Sequence, residues 1–170
     1  LVKKNYDDVT FISRLIDELA AEGKIDTKRV YATGISNGGF FSQYLAMHLP
    51  EKIAAVASVA ASVSQHFTNE NAPVTPVMLM LGTEDTLIPW EGGRIGGKIL
   101  RGERGQVLTA RESLAFWLNR NGNNAVIRKT QLSDSDLRDR SCAYMEEYVV
   151  EDPAREVVFV GIDGGGHTWP

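Results

Sequence analysis

Residues 29–40 read Arg29-Val30-Tyr31-Ala32-Thr33-Gly34-Ile35-Ser36-Asn37-Gly38-Gly39-Phe40, and their order decides the fold. A short β-prone run leads into the pentapeptide Gly34-Ile35-Ser36-Asn37-Gly38. After it Phe40, Phe41, Tyr44, Leu45 and Leu49 recur at helical spacing until Pro50 ends the helix. Strand, glycine-flanked turn and helix in immediate succession form a G-x-S-x-G elbow, which holds a serine hydroxyl out at the carboxyl edge of a sheet. The glycines are needed where strand and helix backbones pass close together. Composition alone produces such a pentapeptide in roughly one chain in ten, so the strand-turn-helix context carries the reading. A serine that merely caps the helix is the bland alternative.

Working outward, helical and strand-like patterns alternate, as a parallel α/β sheet requires. Asp7 or Asp8 caps a predicted helix bearing Val9, Ile12, Leu15, Ile16 and Leu19, with Gly23 as its stop. The strand before the elbow is predicted over 28–33. Residues 53–61 are almost wholly apolar, as a strand covered on both faces should be, and Pro76 introduces a second such run, VMLMLG. Thr109 and Glu112 are spaced as a capping box for a helix carrying Leu114, Trp117 and Leu118, which stops at Gly122. Residues 123–140 read as a charged surface excursion, and residues 144–150 and 156–162 as a hairpin joined through EDPA. The expectation is one α/β domain over residues 1–170, its mostly parallel sheet carrying helices on both faces.

The 170 residues are 43% hydrophobic and 24% charged, enough apolar material for a sizeable core and too much for a disordered tail. No apolar run approaches the roughly 20 residues of a membrane span. With 18 Lys and Arg against 22 Asp and Glu, the net charge of −4 gives no electrostatic reason to bind nucleic acid or an anionic membrane. Cys142 stands alone and three scattered histidines do not make a Cys/His zinc site, so disulfide and zinc scaffolds are excluded.

A serine hydroxyl needs a base to take its proton and a carboxylate to orient that base. In a sheet of this kind they follow the serine in the order acid, then histidine, each in a loop leaving a strand. Asp85 comes directly after VMLMLG, and His167 lies in the loop after VVFVGI, behind three glycines. Glu84 competes with Asp85, but neighbouring side chains in an extended exit point apart, so one of them faces the histidine, and Asp85 is preferred. Asp163 is expected to shape the histidine's turn, His48 to sit at a helix C-terminus, and His66 to be an ordinary surface residue beside a loop. Trp90 opens a glycine-rich stretch, EGGRIGGKILRGERG, that fails as a phosphate loop because no strand feeds it. It reads as a flexible lip, with Trp90 and Trp169 offering flat faces to a substrate or simply anchoring their loops.

YATGISNGGF, LGTEDTLIPWEGG and GIDGGGHTWP together resemble the polyhydroxybutyrate depolymerase and feruloyl esterase-like branch of the α/β-hydrolase superfamily. The resemblance implies Ser36 as nucleophile, Asp85 as acid and His167 as base, with the Asn37 amide in the oxyanion hole. It implies an esterase with neither metal nor organic cofactor, acting on feruloyl, acetyl or short hydroxyalkanoate esters, and a secreted or periplasmic location. Such proteins carry further strands and a His-Gly loop upstream, so this chain is expected to be the C-terminal part of a longer enzyme. Its first strand would then be an exposed sheet edge open to self-association. A cysteine usual after the third helix is replaced by Gly122-Asn123-Asn124. A serine peptidase on the same fold, and a non-catalytic binding module, are the competing functions.

Overall fold

The computed structural model describes residues 6–67, 74–96, 104–122, 126–134 and 137–170. The first element is helix α1, Asp8–Ala21, capped by Asp7, whose carboxylate accepts from the Thr10 amide at 2.9 Å. Strand β1, Tyr31–Ile35, runs straight into helix α2, Asn37–His48. Strands β2, Ala55–Val59, and β3, Val77–Gly82, follow. A two-stranded ribbon of β4, Gly93–Arg94, and β5, Gln106–Val107, precedes helix α3, Ala110–Asn121. The chain closes with β6, Val126–Gln131, β7, Cys142–Val149, and β8, Val157–Asp163.

The six-stranded sheet has the order β1-β2-β3-β8-β7-β6, parallel from β1 to β8 and antiparallel beyond. Its parallel half is a mostly parallel α/β sheet with the serine, acid and histidine loops at one edge, as the alternation of patterns predicts. Register places Val56, Val77 and Val157 on one face in line, and Ser58, Leu79 and Phe159 in line behind them. These residues are buried against the helices: Ile16 of α1, Leu45 and Met47 of α2 and Leu114 and Trp117 of α3 join them in one core. The expectation of helices on both faces is met on one face only among the described residues. On the other face Tyr31 and Thr33 are exposed, and Ala55, Ala57, Met78 and Val158 are half-buried.

Three boundaries differ from the sequence expectation. Strand β1 starts at Tyr31, not at 28, because the Lys28 and Arg29 amides are taken by Asp26 in a turn, and it runs on through Gly34 and Ile35 to the elbow. Strand β2 is shorter than 53–61: the Ile53 amide still bonds to Leu49, and Ala60 turns the chain at φ 45°. The excursion expected over 123–140 contains β6, an edge strand paired along its length with β7. Its charges hold it there, with Lys129 3.0 Å from Glu146 and Arg128 3.6 Å from Glu147 across the ladder.

Two buried polar groups organise the core. Gln43 of α2 is 0% exposed; its amide donates to the Ser58 hydroxyl and the Ala61 carbonyl, and its oxygen accepts from the Trp117 indole at 3.1 Å. One side chain thus ties α2, β2 and α3 together. Glu146 of β7 is 2% exposed and bonded by Arg111, Lys129 and Tyr148. Burial works to raise its pKa, but the hydrogen bonds from Arg111, Lys129 and Tyr148 outweigh it and hold the carboxyl down at about 2. Burial and the bond to that carboxylate push Tyr148 up to about 12.

Replacing Gln43 by Leu leaves the Trp117 indole N–H buried without an acceptor, at a cost of about 2 kcal/mol. Urea denaturation should show a lower midpoint at unchanged slope; an unchanged midpoint would mean the indole has another partner. Because Glu146 titrates lower in the folded chain than in the unfolded one, its contribution to stability is complete above the ordinary carboxylate range and is lost as pH falls from about 4.5 toward 2. Stability measured across that window should fall less steeply in Glu146→Gln than in the parent.

Candidate active site

Ser36 sits between β1 and α2 at φ 56° and ψ −117°, a conformation that side-chain-bearing residues rarely adopt. The neighbours enforce it. The Ser36 amide donates to the Val59 carbonyl of β2, and its carbonyl accepts from Phe40 in the first turn of α2. A Cβ on Gly34 would lie 2.6 Å from the carbonyl carbon of Gly38, and one on Gly39 2.7 Å from Ala61 Cβ, whereas a Cβ on Gly38 meets nothing. The close approach therefore demands glycine at Gly34 and Gly39. Asn37, the first residue of α2, has one of the amides that a helix N-terminus leaves without an intrahelical acceptor.

Asp85 and His167 are brought together from β3 and β8. The His167 ring donates from Nδ1 to Asp85 Oδ2 at 2.8 Å, while Asp85 Oδ1 accepts from the Leu87 and Ile88 amides, both at 2.8 Å. Asp85 is 5% exposed, so its carboxylate is fixed on three sides and shielded from water. Glu84 is exposed, and among the described residues its amide donates to the Gly165 carbonyl while its carboxylate has no hydrogen bond. Asp163 accepts from the Thr83 hydroxyl, which in turn accepts from the Gly164 amide. The two exit loops are thereby stitched to each other, and a Cβ on Gly82 would collide with the Gly165 carbonyl. Among the described residues the Ser36 hydroxyl makes no hydrogen bond to His167; its loop, the Asp85 loop and the His167 loop all leave the carboxyl ends of parallel strands.

The remaining candidates have other surroundings. His48 lies in the last turn of α2, stacked on Tyr44 at 3.8 Å. His66 is exposed in the loop after β2. Trp90 packs edge to face on Phe159 at 5.8 Å and borders the core, which makes it an anchor for its loop; Trp169 is 55% exposed. The expected glycine-rich lip contains the β4-β5 ribbon, and its residues 97–103 lie outside the described residues. Cys142 is exposed and unpaired as a disulfide. Among the described residues no group of His, Cys, Asp and Glu could hold a metal, and no helix is long and apolar enough to cross a membrane. The Gln43 and Glu146 clusters escaped the sequence reading; a glutamine facing an otherwise apolar helix and a glutamate inside a strand were the available signals.

Residues 4–102, which include Ser36 and Asp85, match the family described as phospholipase/carboxylesterase. The chain belongs to that family. Over 96% of its length it is 30% identical to a protein of Nocardia uniformis subsp. tsuyamanensis named as an esterase, NocK, of which it spans 48%. Feruloyl esterase B of Piromyces equi is 29% identical over 68% of the chain, which spans 22% of that protein. The chain thus covers about half the length, or less, of these relatives. An acetyl xylan esterase from Aspergillus awamori superposes on 95% of this chain and 62% of its own, with a TM-score of 0.54 at 15% identity, and so shares the fold. The α/β-hydrolase resemblance read from the three motifs is thereby shown for this phospholipase/carboxylesterase family member.

Truncating Asp85 to Ala leaves the buried Ile88 amide and the half-buried Leu87 amide without their acceptor, a loss of about 2 kcal/mol. Glu84→Ala should stay within about 0.5 kcal/mol of the parent. Chemical denaturation of the two variants tests the difference; equal losses would place Glu84 inside the site.

Proposed function

We propose that the protein is a serine carboxylesterase in which Ser36, His167 and Asp85 act in sequence. The observation that carries this reading is the Asp85–His167 hydrogen bond at 2.8 Å, delivered from two strand ends to the edge where the strained Ser36 emerges. His167 takes the Ser36 proton as the hydroxyl attacks the ester carbonyl. Asp85, pinned by the Leu87 and Ile88 amides, fixes the tautomer that leaves Nε2 free and stabilises the imidazolium. The Asn37 amide meets the oxyanion, His167 passes its proton to the departing alcohol as the carbon–oxygen bond breaks, and a water deprotonated by His167 then hydrolyses the acyl-enzyme to the free acid and Ser36. The names of the relatives favour feruloyl or acetyl esters, for which an exported enzyme is suited; short hydroxyalkanoate esters are further candidates that the motif resemblance alone suggests. Trp169, and the open part of Trp90, supply flat faces for a sugar or aromatic group.

Ser36→Ala should lower hydrolysis of a nitrophenyl ester by several orders of magnitude while leaving circular dichroism unchanged, and should abolish labelling by a fluorophosphonate probe. Turnover comparable to the parent would overturn the assignment. Turnover of a matched peptide amide at a readily measured rate would favour the peptidase reading, and failure of the parent to be labelled a binding module.

A further inference from the structure

Three consecutive glycines, Gly164, Gly165 and Gly166, carry the chain from β8 to His167. Such a run has the widest backbone freedom a sequence can encode, so whatever holds His167 at 2.8 Å from Asp85 must come from outside it. The exit of β3 supplies the hold. The Thr83 amide donates to the Ile162 carbonyl and the Glu84 amide to the Gly165 carbonyl, both at 2.9 Å, and these are backbone contacts open to almost any residue. A further contact belongs to a side chain. The Gly164 amide donates to the Thr83 hydroxyl at 2.9 Å, and that hydroxyl donates its own proton to Asp163 Oδ1 at 3.1 Å.

A hydroxyl carries one proton, and with that proton committed to the Asp163 carboxylate its lone pairs are left for the Gly164 amide. Thr83 stands just before Asp85 in the chain, and the groups it grips stand just before His167. Beyond them the loop is open, since a Cβ on Gly166 would meet nothing within 4 Å. Among the described residues, the bonds at Gly164 and Gly165 are the last that tie this loop to the β3 exit before the imidazole itself. We propose that Thr83 is a positioning residue for this site: its hydroxyl, oriented by Asp163, registers the three-glycine loop on the Asp85 loop, so that the imidazole is held against its carboxylate. This role rests on the esterase reading and deepens it, adding a residue that acts through His167 and Asp85.

The test sets Thr83→Val, which keeps the shape and removes the hydroxyl, against Thr83→Ser, which keeps the hydroxyl. In Thr83→Val kcat on a nitrophenyl ester should fall roughly ten- to a hundredfold with KM little changed, because a displaced base impairs the chemical step and not binding. Thr83→Ser should recover most of the parent rate. Asp163→Ala, at an exposed position, leaves the hydroxyl in place without its acceptor and should show a smaller loss in the same direction. Asp7→Ala removes the cap of α1, which carries no residue of the site, and should lower stability while leaving kcat unaltered. Independently of turnover, the proton between His167 Nδ1 and Asp85 should give a far-downfield NMR signal, assigned by its absence from His167→Gln. That signal should persist in Ser36→Ala, broaden or vanish when Thr83→Val is added, and remain when Thr83→Ser is added instead. Either readout unmoved by Thr83→Val overturns the role, and so does an equal loss in Thr83→Ser, which would place the effect in packing. If Thr83→Val does not fold, Asp163→Ala decides by the same two readouts. A signal that responds as expected in a protein whose parent turns over no ester would sink the esterase reading alone, and ester turnover indifferent to Thr83→Val would sink the positioning role alone.

Discussion

Strand β1 can turn into α2 at Ser36 because Gly34 carries no side chain: a Cβ there would stand 2.6 Å from the Gly38 carbonyl carbon. That single close approach lets a strand end be followed, within one residue, by a helix packed back against β1 and β2. It also forces Ser36 to φ 56°, and the cost of that conformation is carried by contacts made elsewhere. The Ser36 amide is held by Val59, and α2 is locked to β2 by Gln43 through Ser58 and Ala61. Trp117 of α3 completes the lock. The serine is therefore presented by a buried scaffold and not by a loose loop, as the proposed role of nucleophile requires.

The same logic governs the other side of the site. Parallel pairing of β3 with β8, ending at Gly82 opposite Ile162, brings the Asp85 and His167 loops out side by side. Gly82 and Gly165 then approach so closely that Gly82 has no room for a side chain, and Thr83, Asp163 and the Gly164 amide close the gap with hydrogen bonds. The 2.8 Å contact between Asp85 and His167 follows from strand register, since residues eighty-two apart in sequence are set by two adjacent strand ends.

What could be read in the sequence was what local rules control. The elbow, the Thr109/Glu112 capping box and the β7-β8 hairpin each depend on residues within a few positions of one another, and each stands where it was expected. The order of serine, aspartate and histidine was legible because each follows an apolar strand. Strand β6 was not: its sequence, VIRKTQ, has no two-residue apolar alternation, and it pairs through charges that find partners only on β7. The ends of β1 and β2 were misjudged for a related reason, since the limits of a strand are set by its neighbour's register. Gln43 and Glu146 were silent because nothing in their own neighbourhoods announces partners in α3 or on other strands.

The buried carboxylate of β7 illustrates how a charge can be made to serve structure. Glu146 is buried between α3 and the sheet, and it is tolerable there because Arg111, Lys129 and Tyr148 satisfy it together; removing its partners would strand a charge in the core. That cluster is closed on itself, and its negative charge is already answered. The fold thus uses its buried acid to hold β6, β7 and α3 together.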